Sequence, residues 1–435
     1  MGKKMYITKD IPILFRADAL GLLFLTLTAF MWVMDLIFSI EYMKDQAHKR
    51  RYYFFYALTL VSMLGVCLAG NLITMYVCYE FMSLVSLPLV LHEQDPEAIA
   101  AGRKYIFYSI GGAFLGLSGF FFIYTYGTTL TFTPGGVLDP ELLAGHEGAM
   151  LLVTMLVIIG FGSKAGMFPL HAWLPTAHPV APSPASAYLS GNITKMGVLV
   201  IIRFVYYLVG ADFIRGTWVQ YTFLVLTMLT ILMGSMMAYK EQGFKKRLAY
   251  STVSQVSYAL FGIALLNPIG LVGGLMHVIF HSFAKNTLFE VAGAVIHMTG
   301  FKKVSDYKDL ARKMPVTMWC YTLASLTLVG VPPTSAFLSK WYLASGSLNE
   351  GIPVISWLGP AVLILSALLT AGYLISIVLK AFFPGDEYDY PCLNKKEPNL
   401  YMLIPMIIMT SLAVLTGVWA GPLIRFVTGI AEGVL

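Results

Sequence analysis

GFGSKAGMFPLHAWLP, residues 160–175, decides how this chain is read. An apolar run leads into it, and Lys164 stands there between glycines just before Pro169. Proline removes a backbone donor and clashes with the preceding turn, so a helix running into this stretch is interrupted. A broken helix is tolerated inside a bilayer where protein encloses it or where it lines a wet cavity. A second stretch, LVGVPPTSAFLSKW at residues 328–341, has the same ingredients: Gly330, Pro332 and Pro333, followed by Lys340. The plainer account is that proline and glycine are common in membrane helices.

The surrounding sequence is that of a membrane protein. Of its 435 residues, 57% are hydrophobic and 12% charged, and its mean hydropathy is +0.73. These values exclude an ordinary soluble globule. A helix needs about 20 residues to cross the hydrocarbon core. Apolar runs at 17–40, 52–69, 71–91, 104–126, 149–170, 184–209, 218–239, 249–266, 269–298, 316–346, 357–383 and 401–424 give about twelve candidate spans. The fold expected is an all-α polytopic membrane protein with two inverted five-helix repeats, each with its break in the fourth helix. The chain then divides into an N-terminal helix and basic loop (1–51), a first repeat (52–209), a second repeat (210–383), and a loop with a C-terminal helix (384–435). The start, MGKKMYITKDIPILFRADALGLLF, has no small-residue cleavage site and is not read as a simple signal peptide.

Lysine and arginine separate two sides. They gather after spans 1, 3, 7, 9 and 11, at Lys44–Arg51, Arg103 and Lys104, Lys240–Arg247, Lys302–Lys313, and Lys395 and Lys396. The intervening loops hold little more than Arg215. This places the basic loops in the cytoplasm and both termini outside, against the tendency of Lys3, Lys4, Lys9 and Arg16. Arg103, Lys104 and Arg247 read as topology or headgroup contacts.

Cys67, Cys78, Cys320 and Cys392 form no CxxC pair and no cluster with histidine, so neither an iron–sulfur centre nor zinc is supported. No nucleotide-binding glycine motif occurs. No cofactor is expected in this chain, and its positive charge reads as topology rather than nucleic-acid binding. Trp32, Trp173, Trp218 and Trp341 are read as lipid-facing or interfacial anchors.

Five ionisable residues interrupt the apolar segments. A charge at the bilayer centre costs roughly 2.5–3.5 kcal/mol on insertion scales. Glu80, in NLITMYVCYEFMSLVSLPL, needs a proton, water or a partner, and Lys164 is the natural one. Such a pair either switches protonation with its geometry or simply orients two helices. Lys195 lies in a helix made polar by Ser186, Ser190, Asn192 and Thr194, and either joins a water-filled proton path or snorkels to the interface. In HVIFHSFAKNTLFE, the residues His277, His281 and Lys285 recur every four positions and share one face, with Thr287 and Glu290 extending its polar character. Imidazole suits a proton relay. A structural polar network is the alternative, and the donor set is poor for a metal. Lys340 is a candidate terminal acceptor or a second snorkelling lysine. His171 and His178, flanking WLPTAHPVAPSP, are candidates for loading protons from the cytoplasmic side.

These segments resemble the antiporter-like subunits of respiratory complex I, Mrp-type cation/proton antiporters and membrane-bound energy-converting hydrogenases. The resemblance rests on GFGSKAGMFPLHAWLPTAHPVAPSPASAYLSGNITKMG, KKRLAYSTVSQVSY, HVIFHSFAKNTLFEVAG, GVPPTSAFLSKWYL and YVCYEFMSL, and covers most of residues 50–345. It implies that Glu80 pairs with Lys164, that Lys195 is the middle lysine of a first half-channel, that Lys285 with His277 and His281 forms the central connection, and that Lys340 is the distal site. A lysine at that last position is more like the Mrp D-type and hydrogenase-associated members. The family usually has fourteen core helices, and the first span here, with RADALGLLF, looks like the third of them. Residues 401–435 hold one more span and do not look like the long lateral helix of the largest complex I antiporter-like subunit.

The function implied is proton translocation along a central hydrophilic axis, as a subunit of a multisubunit redox-driven complex of the hydrogenase or complex I kind. Its partners would be other membrane subunits, including antiporter-like ones, with hydrogenase or iron–sulfur modules and lipids, in the cytoplasmic membrane. An Mrp-type sodium/proton antiporter without a redox arm and a non-transporting structural subunit are the alternatives.

Overall fold

The computed structural model describes residues 5–8, 11–385 and 396–435. Lys3, Lys4, Lys9, Cys392 and Lys395 lie outside the described residues. A short antiparallel hairpin, β1 (Met5–Thr8) and β2 (Ile11–Ile13), precedes a helical bundle. The bundle opens with α1 (Ala19–Tyr42), α2 (Lys49–Leu68), α3 (Leu72–Val90) and α4 (Pro96–Tyr126). After the single turn α5 (Pro140–Leu143) come α6 (Glu147–Ala165), the short α7 (Leu174–Val180), α8 (Ser183–Tyr188) and α9 (Thr194–Phe204). The turn α10 (Ala211–Ile214) leads to α11 (Trp218–Lys240), α12 (Phe244–Ala264) and α13 (Pro268–Thr299). The turn α14 (Leu310–Lys313), the paired α15 (Pro315–Val329) and α16 (Ser335–Leu348), then α17 (Pro353–Phe382), α18 (Leu400–Val418) and the amphipathic α19 (Gly421–Glu432) complete the chain.

Helix starts follow local chemistry. Asp18, Asn71, Asp95 and Asn267 each accept a backbone N–H of the first turn of α1, α3, α4 and α13. Pro96 and Pro268 stand at first helical positions, where no N–H is needed.

Hydrogen bonds between loops sort the connections into two ends. At one end Arg51 donates to the His92 carbonyl, Phe244 N–H to the Lys302 carbonyl, and Asp309 N–H to the Lys380 carbonyl. At the other end Gly70 N–H meets the Leu14 carbonyl, Val137 N–H the Leu208 carbonyl, and Gln220 reaches Glu350. The basic connections therefore share one end of the bundle, as their charge pattern implies. The helix containing the first break runs toward that end, and the one containing the second runs away from it.

Among the described residues, nine helices are long and apolar enough to cross a membrane. The other three expected spans are present as helices. Two of them, α12 and α13, are long but rich in serine, glutamine, histidine and asparagine, and the third is split into α15 and α16. The sixth span is not a regular helix: π-helical turns at Leu189–Ile193 and Val205–Val209 interrupt it.

Burial is arranged inside out. The segment Ser183–Val209 is wholly buried, and α12 and α13 are buried along most of their length with their polar residues. The outer helices expose Phe54, Phe107, Phe114, Trp357, Leu368 and Trp419. In a bilayer the apolar side chains face lipid, and the polar ones must find partners within the bundle.

Candidate functional site

The first break begins where Gly166 closes α6 in the left-handed conformation (φ 79°), a geometry glycine adopts without steric cost. Beyond it, the Trp173 indole N–H donates to the Ser163 carbonyl at 2.7 Å and pins the return segment to the end of α6. Trp173 is thus fully buried and is not a lipid anchor, whereas Trp218 and Trp341 are exposed as expected.

Lys164 points from this end into a cradle on α4. Its ammonium donates to the Tyr105 hydroxyl and to Ser109 Oγ, each at 2.9 Å. The Tyr105 ring lies 4.5 Å from Nζ, with the Tyr79 and Trp173 rings at 5.9 Å. Two hydroxyls and three π-faces stabilise the cation directly. The expected Glu80–Lys164 ion pair is not formed: Glu80 is half-buried and acts on Lys164 only through space. Its Oε1 is buried with no hydrogen-bond partner. The hydroxyl cradle satisfies the ammonium without the carboxylate.

Lys195 lies just past the π turn at Leu189–Ile193, a geometry that redirects backbone carbonyls and recurs at functional sites. Its Nζ donates to the Ser190 carbonyl and sits 2.7 Å from His281 Nδ1. The residue is 2% exposed, so it does not snorkel. His281 and His277 follow one another on α13 with ring centroids 6.1 Å apart. His277 Nδ1 is 2.9 Å from Ser339 Oγ on α16, and its ring stacks on Tyr258 of α12 at 5.1 Å. A narrow cavity is lined by Lys195, Gln255, His277 and His281.

Lys340 adjoins Ser339 and lies 5.2 Å from the Tyr258 ring. It is half-buried, and its ammonium donates to the Leu328 and Val329 carbonyls at 2.6 and 2.8 Å. The second break leaves these last-turn carbonyls of α15 without helical partners. Gly330 (φ 87°) makes the space, since a Cβ there would stand 3.0 Å from Lys340 Cδ. Lys164 precedes its break, whereas Lys340 follows its own and caps it.

Three expected residues are placed differently. Lys285 is fully buried, but its Nζ has no hydrogen-bond partner, so it does not continue the contacts of His277 and His281. His178 is also fully buried, stacked on Phe289 at 4.8 Å with neither ring nitrogen partnered. It is not exposed at the surface. His171 is half-buried beside Phe168 and does reach the break. Arg247 is buried too, bonding the Glu241 and Tyr373 carbonyls at 2.8 and 2.9 Å rather than a headgroup.

Most of the residues that sequence reasoning missed are neutral. Tyr79, Tyr105, Ser109, Tyr258 and Ser339 bear no charge, so nothing set them apart from other residues of apolar helices. Helical spacing held one usable signal: Ser109 stands four residues after Tyr105 and shares its face. Arg203 and Asp18 were also missed. They form a bidentate ion pair at 2.5 and 2.6 Å, with Arg203 buried.

Every member of the file from Lys195 through His281 and His277 to Ser339 and Lys340 can donate or accept a proton, or carry one as a cation. Comparisons with known proteins show the family of the chain. The family model described as "NADH:quinone oxidoreductase/Mrp antiporter, TM" matches residues 69–375, and one described as "NADH-Ubiquinone oxidoreductase (complex I), chain 5 N-terminus" matches residues 6–53. The chain is 33% identical to NADH-quinone oxidoreductase subunit N of Desulforudis audaxviator, over 83% of this chain and 71% of that one. It is 30% identical to hydrogenase-4 component B of Escherichia coli, over 95% of this chain and 64% of that one. Its fold is similar to a chain of the Mrp complex from a Dietzia species, with TM-score 0.85, 23% identity and coverage of 98% and 85%.

Proposed function

This chain belongs to the NADH:quinone oxidoreductase/Mrp antiporter transmembrane family, and on that premise we propose that it translocates protons as one membrane subunit of a redox-driven complex. The contact between Lys195 Nζ and His281 Nδ1, at 2.7 Å in a buried setting, carries the reading. One of two titratable groups must accept from the other, so a proton moved along this bond changes which of them is charged. The file continues through His277 and Ser339 to Lys340, while Lys164 and Glu80 form a separate charge site at the first break.

Charge movement at one site alters the next through the low local dielectric. A negative group approaching Lys164 favours its charged form, and its withdrawal favours proton release toward Lys195. Transfer between the His281 and His277 rings requires the space between them to widen or a ring to turn. In this proposal conformational coupling opens and closes that step.

The sequence supplies no iron–sulfur motif, so the redox chemistry is assigned to other subunits of the complex. Its relatives in a quinone reductase and a hydrogenase favour such a partner. The chain resides in the cytoplasmic membrane with its basic end inward, in keeping with the positive-inside rule. The two breaks belong to two five-helix units, at 52–209 and 210–383.

Reconstituting the purified complex in proteoliposomes tests the reading. Redox substrate is expected to drive proton uptake or release in the wild type and not in Lys195→Ala, with the same subunits co-purifying. Normal proton movement in assembled Lys195→Ala complexes would overturn it. Sodium-dependent proton exchange with no redox requirement would instead identify an antiporter complex.

A further inference from the structure

A pair of carboxyl groups lies outside this file. Asp35, midway along α1, is fully buried, as is Glu290 on α13. The amide nitrogen of Asn286 donates to both Asp35 oxygens at 3.0 Å. Glu290 is one helical turn beyond Asn286 and therefore on the same face of α13, and its carboxyl lies within hydrogen-bond reach of Asp35. Both Glu290 oxygens are enclosed, and neither meets an N–H or hydroxyl donor.

Among the described residues neither carboxyl forms a salt bridge. The titratable groups that face the pair are Tyr52 and Tyr56 from α2, Tyr188 from α8 and Cys320 from α15. The Tyr56 hydroxyl is engaged by the Trp32 carbonyl, but those of Tyr52 and Tyr188 are buried without partners. The nearest lysine in sequence, Lys285, precedes Asn286 on α13 and is buried, but its ammonium bonds neither carboxyl. Two ionised carboxylates this close, without a cation bonded to either and away from water, repel each other strongly. A proton between them gives Glu290 a hydrogen to donate to Asp35 and removes one of the two buried charges. Asn286 then holds the remaining carboxylate. A metal ion fits less well, because among the described residues no third histidine, cysteine or carboxylate joins the pair.

We propose that Asp35 and Glu290 form a second proton-binding site, a carboxylic acid–carboxylate pair lateral to the lysine–histidine file. It joins α1 to α13 through the shared proton, so its occupancy depends on how α1 is seated against α13. Separating the helices leaves two lone carboxyls whose protons equilibrate independently. The site does not depend on the proposed direction, driving force or route of transport.

Infrared difference spectroscopy of the purified complex in H2O and D2O reads the C=O stretch of protonated carboxyls. The wild type is expected to show a deuterium-sensitive acid band that persists at neutral pH, where free carboxyls are ionised. Glu290→Gln keeps a donor toward Asp35 and is expected to lose this band while assembling normally. Should Glu290→Gln fail to assemble, the double variant Asp35→Asn/Glu290→Gln gives the same subtraction with no charge at the site. An unchanged band in the assembled variant overturns the proposal. So does loss of the wild-type band when sodium is added at fixed pH, which would identify a metal cation as the occupant. The spectrum needs no turnover, so failure here is distinct from failure of the transport reading.

Discussion

Lys195 and His281 meet nitrogen to nitrogen, 2.7 Å apart, on two helices buried at the centre of the bundle. If the lysine carries the proton, Nδ1 accepts it and the ring's own hydrogen sits on Nε2. If the proton crosses, the imidazolium carries both and the lysine becomes neutral. The same bond serves either distribution, so it can hand a proton on without moving a helix.

His281→Ala is expected to reduce coupled proton transport by about 100-fold or more, the scale of a lost proton-transfer group, with the complex still assembled. Lys195→Arg is expected to fail similarly, because arginine does not give up its proton in proteins. Initial rates in proteoliposomes check both. Transport above a tenth of the wild-type rate in either variant would place the relay elsewhere.

Glu80 and Lys164 separate function from stability. A buried ion pair that loses one member costs about 3–5 kcal/mol, but no such pair is formed here. Glu80→Gln is therefore expected to leave the thermal stability of the detergent-solubilised complex within a few degrees of wild type while sharply reducing transport. Tyr105→Phe removes a hydroxyl that accepts from Lys164 and is expected to destabilise by about 1–3 kcal/mol. A large loss of stability in Glu80→Gln with normal transport would reverse these assignments.

Gly330→Ala tests the second break. A Cβ there is strained at φ 87° and crowds Lys340 at 3.0 Å. Strain of this kind costs about 1–3 kcal/mol. The expected variant assembles in reduced yield and transports poorly, because Lys340 loses its seat on the Leu328 and Val329 carbonyls. Unaltered transport would separate Lys340 from the file.

Asp18, at the mouth of α1, sets an acid limit on stability. Burial pushes its carboxyl up, but the Arg203 hydrogen bond and charge, with the Gly21 N–H, hold it below the ordinary carboxylate value. A lowered folded value means the contribution is complete above the unfolded value of about 3.9 and is lost as pH falls through the folded one. The melting temperature is expected to be insensitive to this pair from neutral pH down to about 4, then to fall. Asp18→Asn is expected to melt lower at neutral pH, because Arg203 stays buried without a counter-charge, and to lose its share of the acid-dependent drop. Equal melting of variant and wild type at pH 7 would count against the pair.

Lysines and histidines were legible in the sequence because they are anomalous in an apolar helix, whereas Asp18, Asp35 and Arg203 passed unread. Lys195, His277 and His281 meet in the buried core with Lys340 beside Ser339, Lys164 stands apart at the first break, and both breaks fall where glycine and proline place them. What joins them was not legible. Tyr105 and Ser109 satisfy Lys164 from a helix more than fifty residues earlier, and only tertiary packing brings them there. The same is true of Asp35, whose partners Asn286 and Glu290 lie on the far side of the sequence. Lys285 shows the converse, since its place on the face of His277 and His281 did not supply a hydrogen-bond partner.

The 6.1 Å between the His281 and His277 rings has a consequence for an idle membrane. A conductor closed at every link would let voltage drain through it, and each unit charge crossing 100 mV dissipates about 2.3 kcal/mol. No direct hydrogen bond joins these two rings, so the proposed path is interrupted between them. In the proposed path, an interruption at this step keeps the bilayer charged between turnovers.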